Sequence, residues 1–163
     1  MRYEPAAWLL ATLLCTACGT EIGSSCSTNV DCSPIGDRIC DTSQRDGYCT
    51  VEGCGIDSCP DEAECIRFFP SAFLSVPCDP RTEDAVDPSI VATNDCTGDE
   101  ICLAGGYCAM RTQERRFCMK RCDSNGDCRS GYECRETGTA GAEAVPDPAR
   151  PGIRQLRFCA QQI

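Results

Sequence analysis

Cysteine constrains this chain more than any other residue. It takes 18 of 163 positions, about 11%, above the level at which a disulfide scaffold is the leading architecture. Bulky apolar residues are scarce: from Gly19 onward Ile, Leu, Val, Met, Phe, Tyr and Trp make up about a fifth of the chain. With a net charge of −10, such a chain in its reduced form tends towards disorder. Bridges supply the missing cohesion, each contributing roughly 2–4 kcal/mol by restricting the unfolded chain. The expected fold is small and disulfide-rich, made of short β-hairpins and loops with little helix, and it belongs in an oxidising compartment.

The spacing of the cysteines repeats. Cys26, Cys32, Cys40 and Cys49 form a first quartet, and Cys54, Cys59, Cys65 and Cys78 a second. Cys96, Cys102, Cys108 and Cys118 form a third, and Cys122, Cys128, Cys134 and Cys159 a fourth. The first two gaps barely vary, while the third absorbs the length differences, which is the signature of an internal repeat. Aromatics precede several closing cysteines, in Gly47-Tyr48-Cys49, Arg116-Phe117-Cys118 and Arg157-Phe158-Cys159. A hairpin whose strands carry the cysteines and whose tip accepts insertions fits this pattern. Pro77 before Cys78 breaks it and predicts an edge or no strand there. Asp31-Cys32 and Asp127-Cys128 share an acid before the second cysteine, within polar stretches expected to turn tightly.

Residues 79–95 hold two prolines and five acids and read as a linker. Two tandem eight-cysteine halves are therefore expected, 26–78 and 96–163, with bridges confined within each. Three pairings are open inside a quartet, and first with third and second with fourth is favoured.

Residues 1–17 combine Arg2, the apolar run from Ala6 to Leu14 and small residues at Thr16 and Ala17, the make-up of an export signal too short to span a bilayer. Leu14-Cys15-Thr16-Ala17-Cys18-Gly19 resembles a bacterial lipoprotein signal, with Cys15 and Glu4 as departures from its usual pattern. The resemblance implies an acylated Cys18, palmitate included, as the lipid anchor, with residues 18–25 as tether. Gly19, where an aspartate would mark inner-membrane retention, implies the outer membrane, facing periplasm or exterior. Parity agrees, because removing Cys15 with the signal and acylating Cys18 leaves sixteen cysteines to pair. Cleavage after Cys18 would also leave sixteen, in a freely secreted protein.

The repeats over 26–65 and 96–134 resemble cysteine-rich repeats of bacterial envelope proteins, particularly of myxobacteria, often compared with the Dickkopf amino-terminal domain. Cysteine spacing, turn glycines and pre-cysteine aspartates carry that resemblance. It implies architecture, and no binding residue is carried over.

Catalysis is not expected. The chain has no histidine, which removes Ser–His and Cys–His nucleophile pairs and most zinc sites. Its carboxylate pairs, such as Asp61 with Glu62 and Glu64 or Asp99 with Glu100, stand in polar surroundings unsuited to acid–base work. No cofactor or metal is expected. Asp123-Ser124-Asn125-Gly126-Asp127 opens like a calcium loop, but Cys128 and Cys134 stand where its glycine and glutamate belong. The acidic balance disfavours nucleic acid. Arg111, Arg115, Arg116, Lys120 and Arg121 form either a basic face or a solvated edge that balances acids.

One stretch stands out for a partner. Residues 66–76 hold Phe68, Phe69, Phe73 and Leu74, either an exposed contact patch or the mini-core of the first half. The functional expectation is a lipid-anchored envelope protein, a structural or protein-binding module of unspecified partner. The alternative is a soluble secreted ligand or inhibitor with weak calcium binding.

Overall fold

A computed structural model describes residues 20–70, 74, 76–81, 96–150, 152 and 154–162. The expected signal 1–17, the expected anchor Cys18, Phe73 and positions 82–95 of the expected linker lie outside the described residues. Nine short strands and one four-residue helix are present among them: α1 (Asn29–Cys32), β1 (Ile39–Asp41), β2 (Tyr48–Thr50), β3 (Ala63–Phe68), β4 (Glu100–Cys102), β5 (Cys108–Met110), β6 (Arg115–Lys120), β7 (Tyr132–Glu136), β8 (Ala142–Ala144) and β9 (Arg157–Gln161). Strands, loops and eight disulfides make this a small disulfide-rich fold, as the composition requires. No helix among the described residues is long and apolar enough to cross a membrane.

Four hairpin-like pairs organise the chain. Strand β1 pairs with β2, β4 with β5 and β7 with β9, all antiparallel, while β3 lies between β6 and β8 in a three-stranded sheet. Each pair sets two cysteines directly opposite one another: Cys40 and Cys49, Cys65 and Cys118, Cys102 and Cys108, Cys134 and Cys159. These opposed residues do not bond to each other. Each instead reaches back to a cysteine that precedes the hairpin, as the bridges Cys26–Cys40 and Cys32–Cys49 show.

Read through the bridges, four modules emerge, and every one pairs its first cysteine with its third and its second with its fourth. Module 1 is Cys26, Cys32, Cys40 and Cys49, and module 4 is Cys122, Cys128, Cys134 and Cys159. Module 2 is Cys54, Cys59, Cys65 and Cys118, through Cys54–Cys65 and Cys59–Cys118. Module 3 is Cys78, Cys96, Cys102 and Cys108, through Cys78–Cys102 and Cys96–Cys108. Module 3 is thus inserted whole into the tip of the hairpin that closes module 2.

This corrects the expectation of two separate halves. Cys59–Cys118 and Cys78–Cys102 both cross the 79–95 segment, and β3 pairs with β6 across it over six residue pairs. The second and third quartets are regrouped accordingly, while the first-to-third and second-to-fourth rule survives. The physical reason is that loop-closure entropy grows only slowly with length. A hairpin tip that accepts a few extra residues can therefore accept a module of its own. Module 4 uses the same latitude: between its strands it sends out β8, which pairs Ile66, Arg67 and Phe68 of β3 with Ala144, Glu143 and Ala142.

Lead-in segments cover the outer edges of the closing strands. The amide of Cys49 donates to the Ser24 carbonyl, Cys108 to Val76 and Cys118 to Val51, each about 3 Å. Covered edges do not invite pairing with other chains. Pro77 fits this arrangement, since it lies in the lead-in of module 3 rather than in a closing strand, opposite Tyr107.

The core is drawn from all parts of the chain. Ile22, Tyr48, Ile66 and Phe158 are fully buried, together with Ala63, Met119, Tyr132, Ala142 and Val145 and the sulfurs of Cys65 and Cys118. The Tyr48 hydroxyl sits among three modules: it accepts from the Lys120 amide at 3.0 Å and points to the Cys159 carbonyl at 3.4 Å. Burial raises its pKa above the ordinary tyrosine value. A smaller cluster of Phe69, Leu103 and Ala109, backed by Leu74 and Ile101, joins β3 to the inserted module.

Candidate functional site

A cleft of about 510 Å³ with apolar walls lies between the β1–β2 hairpin and the β3–β6 sheet. Tyr48, Thr50, Phe68, Phe69, Phe117 and Met119 form its floor and walls, and Asp41, Ser43, Gln44 and Arg115 its polar rim. Each wall residue is aimed by register. Phe68 lies opposite Arg115 on β6, and Phe117 opposite Ile66. The Phe68 ring stands edge-on to Phe158 at 5.8 Å and lies 6.2 Å from Phe117, which fixes its plane. Thr50 donates its hydroxyl hydrogen to the Cys118 carbonyl at 2.7 Å, a buried bond between hairpins.

Charges on the rim are held in place. Arg115 pairs with Glu52 at 2.7 Å and stacks over Phe117 at 5.1 Å. The Asp41 carboxylate accepts from the Ser43 amide at 3.0 Å and the Ser43 hydroxyl at 2.6 Å. An aromatic recess with a few fixed polar groups suits non-covalent recognition of an apolar side chain or ring.

The expected partner patch is dispersed between core and cleft. Phe69 is 3% exposed and Phe68 half-buried, while Leu74 packs against the Phe69–Leu103–Ala109 cluster and Phe73 lies outside the described residues. Residues 66–69 therefore do not form a mini-core confined to 26–78, because Phe117, Phe158, Leu103 and Ala109 all come from beyond the linker. They present no exposed patch either; what stays open is the recessed face of Phe68 and Phe69 in the cleft.

The acid before the second cysteine has a defined task. The Asp127 carboxylate accepts from the amides of Asp123 and Ser124 at 2.9 and 2.8 Å, and Asp31 does the same for Ser27 and Thr28 at 2.8 Å each. Asn125 and Asn29 then accept from the amides of Cys134 and Cys40, both at 2.9 Å. The calcium-like stretch is thus the turn that starts module 4, duplicated in module 1. Backbone hydrogen bonds, Asp123 first for Asp127 and Ser27 first for Asp31, hold both carboxyls below their ordinary pKa.

The other singled-out charges are similarly placed. Arg116 pairs with Glu114, Lys120 with Glu21 at 3.4 Å and Arg121 with Glu64 at 3.5 Å, so these cations balance acids along β6. Glu62 pairs with Arg38 at 3.8 Å, and Glu100 accepts from Thr97. All sixteen cysteines of the four modules are in bridges, so the sulfur clusters around each knot offer disulfides and not thiolate ligands.

One charged pair escaped sequence reading. Arg67 and Glu143, opposed on β3 and β8, are 8% and 6% exposed. Arg67 donates to the Ala144 carbonyl at 3.1 Å and pairs with Glu114 at 3.5 Å, and Glu143 accepts from the Ala104 amide at 3.1 Å. Burial raises the Glu143 pKa against the opposing pull of Arg67. Nothing local marks this pair, since 67, 104, 114 and 143 meet only through the insertions. Asp41, Ser43, Gln44 and Thr50 of the cleft were missed for the same reason.

In comparisons with protein-family models, with curated proteins and with solved structures, the chain has no significant match.

Proposed function

We propose that this chain is a lipid-anchored protein of the cell envelope, a rigid disulfide-scaffolded module that presents a recessed aromatic cleft to a protein partner. The observation that carries the anchor is bookkeeping of sulfur: the eight bridges take every cysteine from Cys26 to Cys159 and leave no scaffold partner for Cys18. An acyl group on Cys18, at the end of an export signal, accounts for that thiol. The same bridges belong to an oxidising, extracytoplasmic setting. The cleft supports the binding half of the reading, because its floor is apolar and its rim charges are already positioned.

Intact mass of the mature protein tests the reading. The expected value is that of a chain starting at Cys18, carrying acyl groups and sixteen hydrogens fewer than the reduced form. An unmodified amino terminus beyond Cys18 would replace the anchor with the freely secreted alternative.

A further inference from the structure

We propose that module 1 lies against the lipid surface, with Val30 and Ile35 as its contact residues, so that the protein rests on the membrane rather than standing off it. The proposal rests on the reading of Cys18 as an acylated anchor.

Three observations on one small region carry it. The first is exposure: Val30 is 71% and Ile35 84% exposed, the two most exposed large apolar side chains among the described residues. Neither side chain is covered by the rest of this chain, although bulky apolar residues are few in it. Both lie in the short stretch 29–36, which is tied up by bonds from the Ser33 amide to the Asn29 carbonyl and from the Gly36 amide to the Ser33 carbonyl.

The second is where the chain from the anchor arrives. Thr20 donates its hydroxyl hydrogen to the Asp31 carbonyl at 2.7 Å, and Arg38 donates to the Thr20 carbonyl. Asp31 adjoins Val30 in α1. Only Gly19 lies between Cys18 and Thr20, two steps along the chain that reach about 7 Å at full extension. The attachment point of the lipid is therefore leashed to the stretch that carries Val30 and Ile35, and no long tether can lift module 1 away.

The third is charge. The chain carries −10 overall; Asp31 lies within the stretch, and Asp37 and Arg38 follow it directly. Attraction to an anionic surface is not available. Contact must come from apolar side chains entering the headgroup boundary of a zwitterionic lipid, held at high effective concentration by the anchor.

The test uses the acylated protein in phosphatidylcholine vesicles. The sole tryptophan of the chain is Trp8, within the signal, so Ile35→Trp would be the only tryptophan of the mature form. Its emission is expected to shift to the blue and to be quenched about two-fold or more by lipids brominated on the acyl chains. Gly98→Trp is the control: a Cβ there meets nothing within 4 Å, and its emission should stay solvent-like and unquenched. With acylation of Cys18 confirmed by mass, an unshifted, unquenched Ile35→Trp overturns the proposal and leaves the anchor standing. A blue shift without bromine quenching overturns it in favour of a protein covering that face. Absence of the acyl group overturns anchor and proposal together.

Discussion

Removing Cys59–Cys118 by the double change Cys59→Ala and Cys118→Ala isolates the staple that closes module 2 around module 3. The two cysteines are 59 residues apart, but the unfolded oxidised chain is already shortened by Cys78–Cys102. The path from Cys59 to Cys78, across that bridge and on to Cys118 is about 36 residues. Loop-closure entropy for a loop of that size corresponds to about 4 kcal/mol at 25 °C. Loss of the sulfur of Cys118, a fully buried residue of β6 opposite Cys65 on β3, adds on the order of 1 kcal/mol. The matching change at Cys54–Cys65, with a separation of 11, gives about 3 kcal/mol from the same entropy. Urea unfolding of the oxidised proteins, after non-reducing mass mapping has confirmed the other seven bridges, reads both values. A loss for Cys59–Cys118 below about 2 kcal/mol would refute the nested reading, as would a wild type that unfolds in two separate steps. So would a peptide linking Cys59 to Cys78.

Gly47 turns with φ of +63°, and a Cβ there would lie 2.0 Å from the Cys26 carbonyl oxygen; Gly47→Ala is expected to destabilise by about 2 kcal/mol or more, since left-handed backbone alone costs about 1–2. Gly36→Ala, at φ +81° in open space, should cost only that backbone term, and urea midpoints compare the two. Asp31 and Asp127 titrate below the ordinary 3.8 in the folded state. The unfolded chain binds more protons in that window, so their stabilisation is full above 3.8 and lost as pH falls through the lowered values. Carboxyl chemical shifts should report both low titrations, and Asp127→Asn should remove its share of the acid dependence. Glu143 has the opposite sign: its folded pKa is raised above 4.5, so stability declines as pH rises from 4.5 through the folded value. Glu143→Gln should flatten that decline in melting temperature measured across the range, and an unchanged slope would remove burial of Glu143 as its source.

The sequence by itself determined the class of fold and most of its local parts. Eleven per cent cysteine with few bulky apolar residues leaves bridges as the only adequate source of cohesion, and eight bridges form. The polar turns at Asp31 and Asp127 were legible because their hydrogen bonds join residues four or fewer apart. Six of the eight pairings followed from the quartets, because both cysteines of each lie in one run of four, whereas Cys59–Cys118 and Cys78–Cys102 join different runs. Which hairpin closes which module was decided only in three dimensions. Cys78 follows Cys65 in the chain, yet β3 takes its partner strand from residues 115–120, because a hairpin tip constrains its contents weakly. A signal for this was present: Gly106-Tyr107-Cys108 repeats the closing Gly47-Tyr48-Cys49, and Arg116-Phe117-Cys118 repeats Arg157-Phe158-Cys159. Those match Cys108 and Cys118 both to closing cysteines, one more than a single module can use. The cleft and the Arg67–Glu143 pair left no such mark, since their walls come from segments that only the nested packing brings together. Spacing along a chain encodes what a knot can do locally, and packing decides which knots share a core.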